Sequence, residues 1–323
     1  MRLKIIWRTI KQSFSDFFED RILKLSAALA YYTLFSLPGL LIIVIWFTDI
    51  FTKQETVKGT IDRQITDLIG PSAAAQVQEI IANASVSGES KFAAIIGLIT
   101  VIIGATTVFG EIQDSINMIW RLKPKPKKGF GWLKMIVNRL LSFSIIISLG
   151  FLLLVSLVIN TVMDIFIDRL TQAFPDTEVV VAYAINLVVS FLITSLLFGL
   201  IFKVLPDAKI EWKHVRAGAF TTAILFMIGK FLIGYYLGQS NMASAYGAAG
   251  SMIVVLVWVY YSSMILYFGA VFTRAYAMQS GSNIYPNKYA VWVQQVEVQT
   301  QESIQKTPTK KTVVEGPQDE KRE

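Results

Sequence analysis

Cysteine is absent from the 323 residues, so the chain has no disulfide framework, no thiolate metal site and no cysteine nucleophile. Histidine occurs once, at His214, and a single imidazole cannot assemble a multi-histidine zinc hydrolase site. There is no Walker A sequence and no serine–histidine arrangement, so neither ATP-driven transport by this chain alone nor triad hydrolysis has a basis. The sequence therefore implies no enzyme, no cofactor and no metal. Charge is also scarce. Only 16% of the residues are charged, against about a quarter in a soluble domain.

What remains is apolar: 54% of the residues are hydrophobic and the mean hydropathy is +0.52. Long uncharged runs alternate with short charged segments, the pattern of a polytopic membrane protein. Backbone polar groups cannot stay unpaired in hydrocarbon, and runs this continuously apolar fit helices rather than the alternating strands of a barrel. The fold class expected is an all-α integral membrane protein with six transmembrane helices, at about 25–51, 92–113, 139–163, 179–203, 216–238 and 247–273, within a membrane domain spanning 25–275. Residues 1–24 space Leu3, Ile6, Trp7, Ile10, Phe14, Phe17 and Ile22 helically among Arg2, Lys4, Arg8 and Lys11. That predicts an amphipathic helix lying along an anionic inner leaflet. Between the first two spans, residues 53–91 predict an external helical hairpin broken at Gly70-Pro71. Residues 276–323 read as a largely disordered cytoplasmic tail.

Positive charge sets the orientation. Of the 30 Lys and Arg residues, 24 lie in the segment through Lys24, in 121–139, in 203–216 or from Arg274 onward; five lie on the opposite side, and Lys230 lies inside the fifth span. Both termini are expected in the cytoplasm, in a bacterial inner membrane, with anionic headgroups as partners. The net charge of +7 is absorbed by this topology, so no nucleic acid is expected, and an oligomer is compatible with the sequence.

Four stretches carry a family resemblance: LSAALAYYTLFSLPGLL (25–41), FGEIQDSINMIW (109–120), LPDAKIEWKHVRAGAF (205–220) and YGAAGSMIVVLVWVYYSSMILYFGAVFT (246–273). In this order and spacing the chain resembles the YihY/BrkB family of bacterial inner-membrane proteins. The resemblance implies six spans. It offers mixed functional leads: an old ribonuclease BN label, serum resistance, and suggested transport of lipid-related molecules. One departure is visible, since many members have a carboxylate where this chain has Val271.

Candidate site residues follow from polar groups in apolar surroundings. Lys230 lies fourteen residues past Arg216, roughly 12 Å below the external end of its span. A charge at that depth is costly unless paired, solvated or snorkelling, so it reads either as a counter-charge for an anionic substrate or as a stem reaching the outer interface. Glu111, Asp114 and Asn117 share one side of the second helix. They read as the inner vestibule of a transport path with proton coupling, or as an interfacial cap pairing with Arg121, Arg139 or Arg216. Tyr31, Tyr32, Ser36 and Pro38 combine polar groups with a helix defect, either a broken-helix site or a packed kink. Gly234 and Gly238 form a small-xxx-small pair suited to close helix packing. His214 is expected to be solvated or in contact with headgroups. The functional expectation is a transporter of an anionic lipid or small amphiphile; the rival is a scaffold or envelope-integrity factor recruiting cytoplasmic partners.

Overall fold

The apolar runs become helices, as they must where water cannot satisfy the backbone. A computed structural model describes residues 2–51, 75, 91–124, 178–239, 250–282, 284–287 and 290–293. Among them are α1 (Arg2–Glu19), α2 (Ile22–Phe51), α3 (Lys91–Ile119), α4 (Glu178–Val204), α5 (Trp212–Gln239) and α6 (Gly250–Gln279). Four short strands join them: β1 (Leu122–Pro124), β2 (Ala208–Lys209), β3 (Tyr285–Pro286) and β4 (Ala290–Trp292). Met1–Trp292 form one compact unit and Val293–Glu323 a second; all the contacts that follow lie in the first.

Helices cover the expected spans at 25–51, 92–113, 179–203 and 216–238, and the sixth from Gly250. The third, at 139–163, lies outside the described residues, as does the hairpin at 53–91 apart from Lys91 and the helical Ala75. By length and composition, three stretches among the described residues can cross a membrane: Leu187–Val204, Trp212–Leu237 and Met252–Gln279. Residues 276–292, read from sequence as the start of a tail, comprise the last turn of α6 and the strands β3 and β4.

α2 packs on α3 and α6, α5 on α4 and α6, and α1 lies along α6. In hydrocarbon a leucine gains little by leaving lipid for protein, so close approach and interhelical polar bonds select the packing. Both are present. A side-chain carbon at Gly218 would run into Thr273, and one at Gly269 into Thr222. Each threonine also donates its hydroxyl to the glycine one turn before it, Thr222 to Gly218 O and Thr273 to Gly269 O, both at 2.7 Å. The two helices thus carry the same Gly-x-x-x-Thr unit and interlock reciprocally. Gly234, by contrast, meets no atom of another element among the described residues within 4 Å of where its side chain would begin. The close-packing role belongs to Gly218, Gly229 and Gly269, which face bulky partners across the α5–α6 crossing and at Phe202 of α4.

Near the helix ends, β1 pairs antiparallel with β4 (Leu122 opposite Trp292) and β2 with β3 (Lys209 opposite Tyr285). The segment after α6 therefore binds both the loop after α3 and the loop after α4. Among the described residues, two non-glycine residues in the left-handed region, Arg21 (φ 54°) and Arg121 (φ 59°), mark the turns that end α1 and α3. A single residue in that region stops a helix sharply, a position glycine usually fills.

Candidate functional site

The polar side of α1 determines how it docks. Thr9, Ser13 and Asp16 are buried along one stripe, while Trp7, Phe14 and Phe18 are exposed at 70%, 59% and 68% beside the exposed Lys4, Arg8 and Lys11. Trp7, Phe18 and the basic residues thus face away from the bundle, while the partly exposed Phe14 packs edge-on against Phe268 of α6.

Arg274, near the end of α6, is the centre of the contact. Its guanidinium donates Nη2 to Asp16 Oδ2 at 2.5 Å and Nη1 to the Ile119 carbonyl at the end of α3, and lies 3.0 Å from Asp20 Oδ2. Gln12 Nε2 donates to the other Asp16 oxygen at 2.6 Å. Arg121 approaches Asp20 Oδ1 at 2.8 Å and Glu19 at 3.4 Å. Beside this cluster, Trp120 Nε1 donates to Ala270 O at 3.0 Å. The Arg274, Asp16 and Asp20 side chains are 9%, 9% and 4% exposed, so two carboxylates and a guanidinium are desolvated together. Burial pushes the Asp20 carboxyl above its ordinary value, against the pull of Arg274 and Arg121.

The strip on α3 separates into different roles. Asn117 is buried and brackets Asp207: its Nδ2 donates to Asp207 Oδ2 at 3.0 Å, and its Oδ1 accepts from Asp207 N at 2.8 Å. Asp207 O in turn accepts from Asn287 N at 2.9 Å. Asp114 is exposed. Glu111 is half-buried and accepts from Ser115 Oγ at 3.3 Å. The fully buried Tyr267 of α6 faces Ser115 and Glu111, and its hydroxyl has no aligned hydrogen-bond partner among the described residues.

The remaining sequence candidates lie apart. Lys230 is half-buried within α5, where no other charged residue occurs between Ala217 and Gln239. Tyr31 and Tyr32 are exposed at 56% and 37%, and the Tyr31 ring lies 4.6 Å from that of Phe35. Ser36 donates to Thr33 O at 2.8 Å, and its Cβ lies 2.5 Å from where a Gly104 side chain would begin. α2 runs unbroken through Pro38, so this helix is continuous where a break was one reading. His214 is not solvated but 1% exposed: α5 begins at Trp212, which carries the imidazole against Tyr276 of α6 at 5.9 Å between rings. Val271, the family departure, is fully buried in the apolar core. Among the described residues no group of three or more His, Cys, Asp or Glu is placed to hold a metal.

Asp16, Asp20 and Arg274 were missed from sequence. The signal was the polar stripe Thr9, Ser13, Asp16, Asp20, at helical spacing on the side of α1 away from its apolar stripe.

Comparison with known proteins supports the membrane reading. The chain is 27% identical over 259 residues to a UPF0761 membrane protein of Haemophilus influenzae, covering 79% of this chain and 89% of the relative. It is 26% identical over 258 residues to UPF0761 membrane proteins of Pseudomonas paraeruginosa and Pseudomonas aeruginosa, again over 79% of this chain; here it spans only 59% of the relative's length. No solved structure matches. The profile of the family described as virulence factor BrkB matches residues 13–290, which takes in α2 to α6, the Arg274 cluster and Lys230. The chain belongs to the virulence factor BrkB family of membrane proteins.

Proposed function

We propose that this protein is a transporter of an anionic lipid or small amphiphile, crossing a bacterial inner membrane six times with both termini in the cytoplasm. The observation that carries the reading is Lys230, a half-buried cation inside the membrane-length stretch Trp212–Leu237. A charge at that depth costs at least a few kcal/mol unless it is paired, solvated or snorkelling, and side chains of this kind mark ion and substrate paths. The cation sets the sign of the cargo, and the apolar faces of α4 and α5 suit an amphiphile.

The test is movement of fluorescent phosphatidylglycerol between leaflets of liposomes holding the purified protein, read by quenching from outside. Wild type moves the lipid, Lys230→Arg retains movement, and Lys230→Met loses it at least tenfold with unchanged membrane insertion. Wild-type movement by Lys230→Met refutes the role.

The second reading, a scaffold that recruits cytoplasmic partners to an anionic surface, draws on the outward-facing residues of α1. It requires that changes to α1, the 123–128 lysines or the tail matter more than Lys230.

A further inference from the structure

The Arg274 cluster serves as a depth marker, because it joins the start of α2 to the ends of α3 and α6. Counting helical rise from it, Ser26 of α2 lies about 9 Å up, Ser115 and Glu111 of α3 about 6 and 12 Å, and Tyr267 of α6 about 10 Å. One layer of the bundle thus collects polar groups from three helices. Two of them belong to residues with no exposure: Ser26 Oγ has no hydrogen-bond partner among the described residues, and Tyr267 Oη meets Ser115 out of line.

We propose that Glu111, Ser115, Tyr267 and Ser26 form a buried, hydrated proton site, in which Glu111 takes up and releases the proton that accompanies the transported amphiphile. The proposal rests on the transport reading. Buried hydroxyls are almost always paired, and ordered water is one way such groups are satisfied. Tyr267 and Ser26 supply two hydroxyls that each donate and accept, Ser115 a third already directed at Glu111. A carboxyl beside such water can pass its proton along the hydroxyls without moving its own backbone. Among the described residues, Asp114 on α3 and Tyr267 on α6 are the titratable groups that act on Glu111; Ser26 of α2 lies at similar depth, with the exposed Lys24 about 3 Å nearer the Arg274 cluster. Asn117, on the same side of α3, is occupied by Asp207 and takes no part.

Two measurements test this on full-length protein. Infrared titration in lipid should show a protonated-carboxyl band that Glu111→Gln removes and Tyr267→Phe shifts in midpoint, while Glu211→Gln, at an exposed site, leaves it alone. In liposomes, a pH gradient should change phosphatidylglycerol movement several-fold for wild type and not for Glu111→Gln. A band that persists in Glu111→Gln overturns the site; a gradient response that persists in Glu111→Gln overturns the coupling. If wild type moves no lipid with or without the gradient, the transport reading falls and the coupling with it, while the infrared band separately upholds or overturns the proton site.

Discussion

At the scale of single residues, Arg274 has the most demanding surroundings. Its planar fork serves a carbonyl of α3 and two carboxylates of the α1–α2 corner at once, a geometry that an ammonium cannot reproduce. Removing it would leave buried Asp16 without a cation and Asp20 with Arg121 alone, and breaking such a cluster costs about 3–5 kcal/mol. Arg274→Ala is therefore expected to lower the thermal unfolding temperature of the detergent-solubilised protein, with Arg274→Lys recovering only part of the loss. This residue was counted from sequence as one more cytoplasmic positive charge. Its partners are up to 258 positions away, and an ion pair at that separation leaves no periodic trace. His214 was misjudged for a related reason: a polar residue between two spans looks solvated until the neighbouring helix end is seen to cover it.

At the scale of elements, the described helices were legible, since long apolar runs have one way to satisfy their backbones. How they meet was not. A search for small residues four apart found Gly234 and Gly238, whereas the tight crossing uses glycine opposite threonine, with the motif divided between two helices. Gly218→Ala and Gly269→Ala should each force α5 and α6 apart and cost about 1–3 kcal/mol. Pairing Gly218→Ala with Thr273→Gly should recover much of that loss, because the exchange returns the space. Gly234→Ala should be neutral or slightly stabilising, as helical glycine costs roughly 0.5–1 kcal/mol relative to alanine. Unfolding curves of the four variants settle the ranking.

At the scale of the whole molecule, the strands after α6 tie down two loops, through the Leu122–Trp292 and Ala208–Pro286 pairings and the Asn117–Asp207–Asn287 chain. A protein ending at Val293 should keep this collar. One ending at Gly281 should lose it, with faster amide exchange at 122–124 and 205–210 as the measurement. The collar was not foreseeable from composition, because its strands are two or three residues long and polar in part. The same end-to-end wiring has a consequence for biosynthesis. α1 emerges first, but its acidic corner meets Arg274 only when α6 is complete. At ~5–20 residues per second that is a wait of roughly 13–50 s. During it the corner must remain at the aqueous surface, and a chain stalled before α6 displays Asp16 without its arginine. The last helix thus acts as a completion mark, recognisable as the disappearance of that exposed acidic corner.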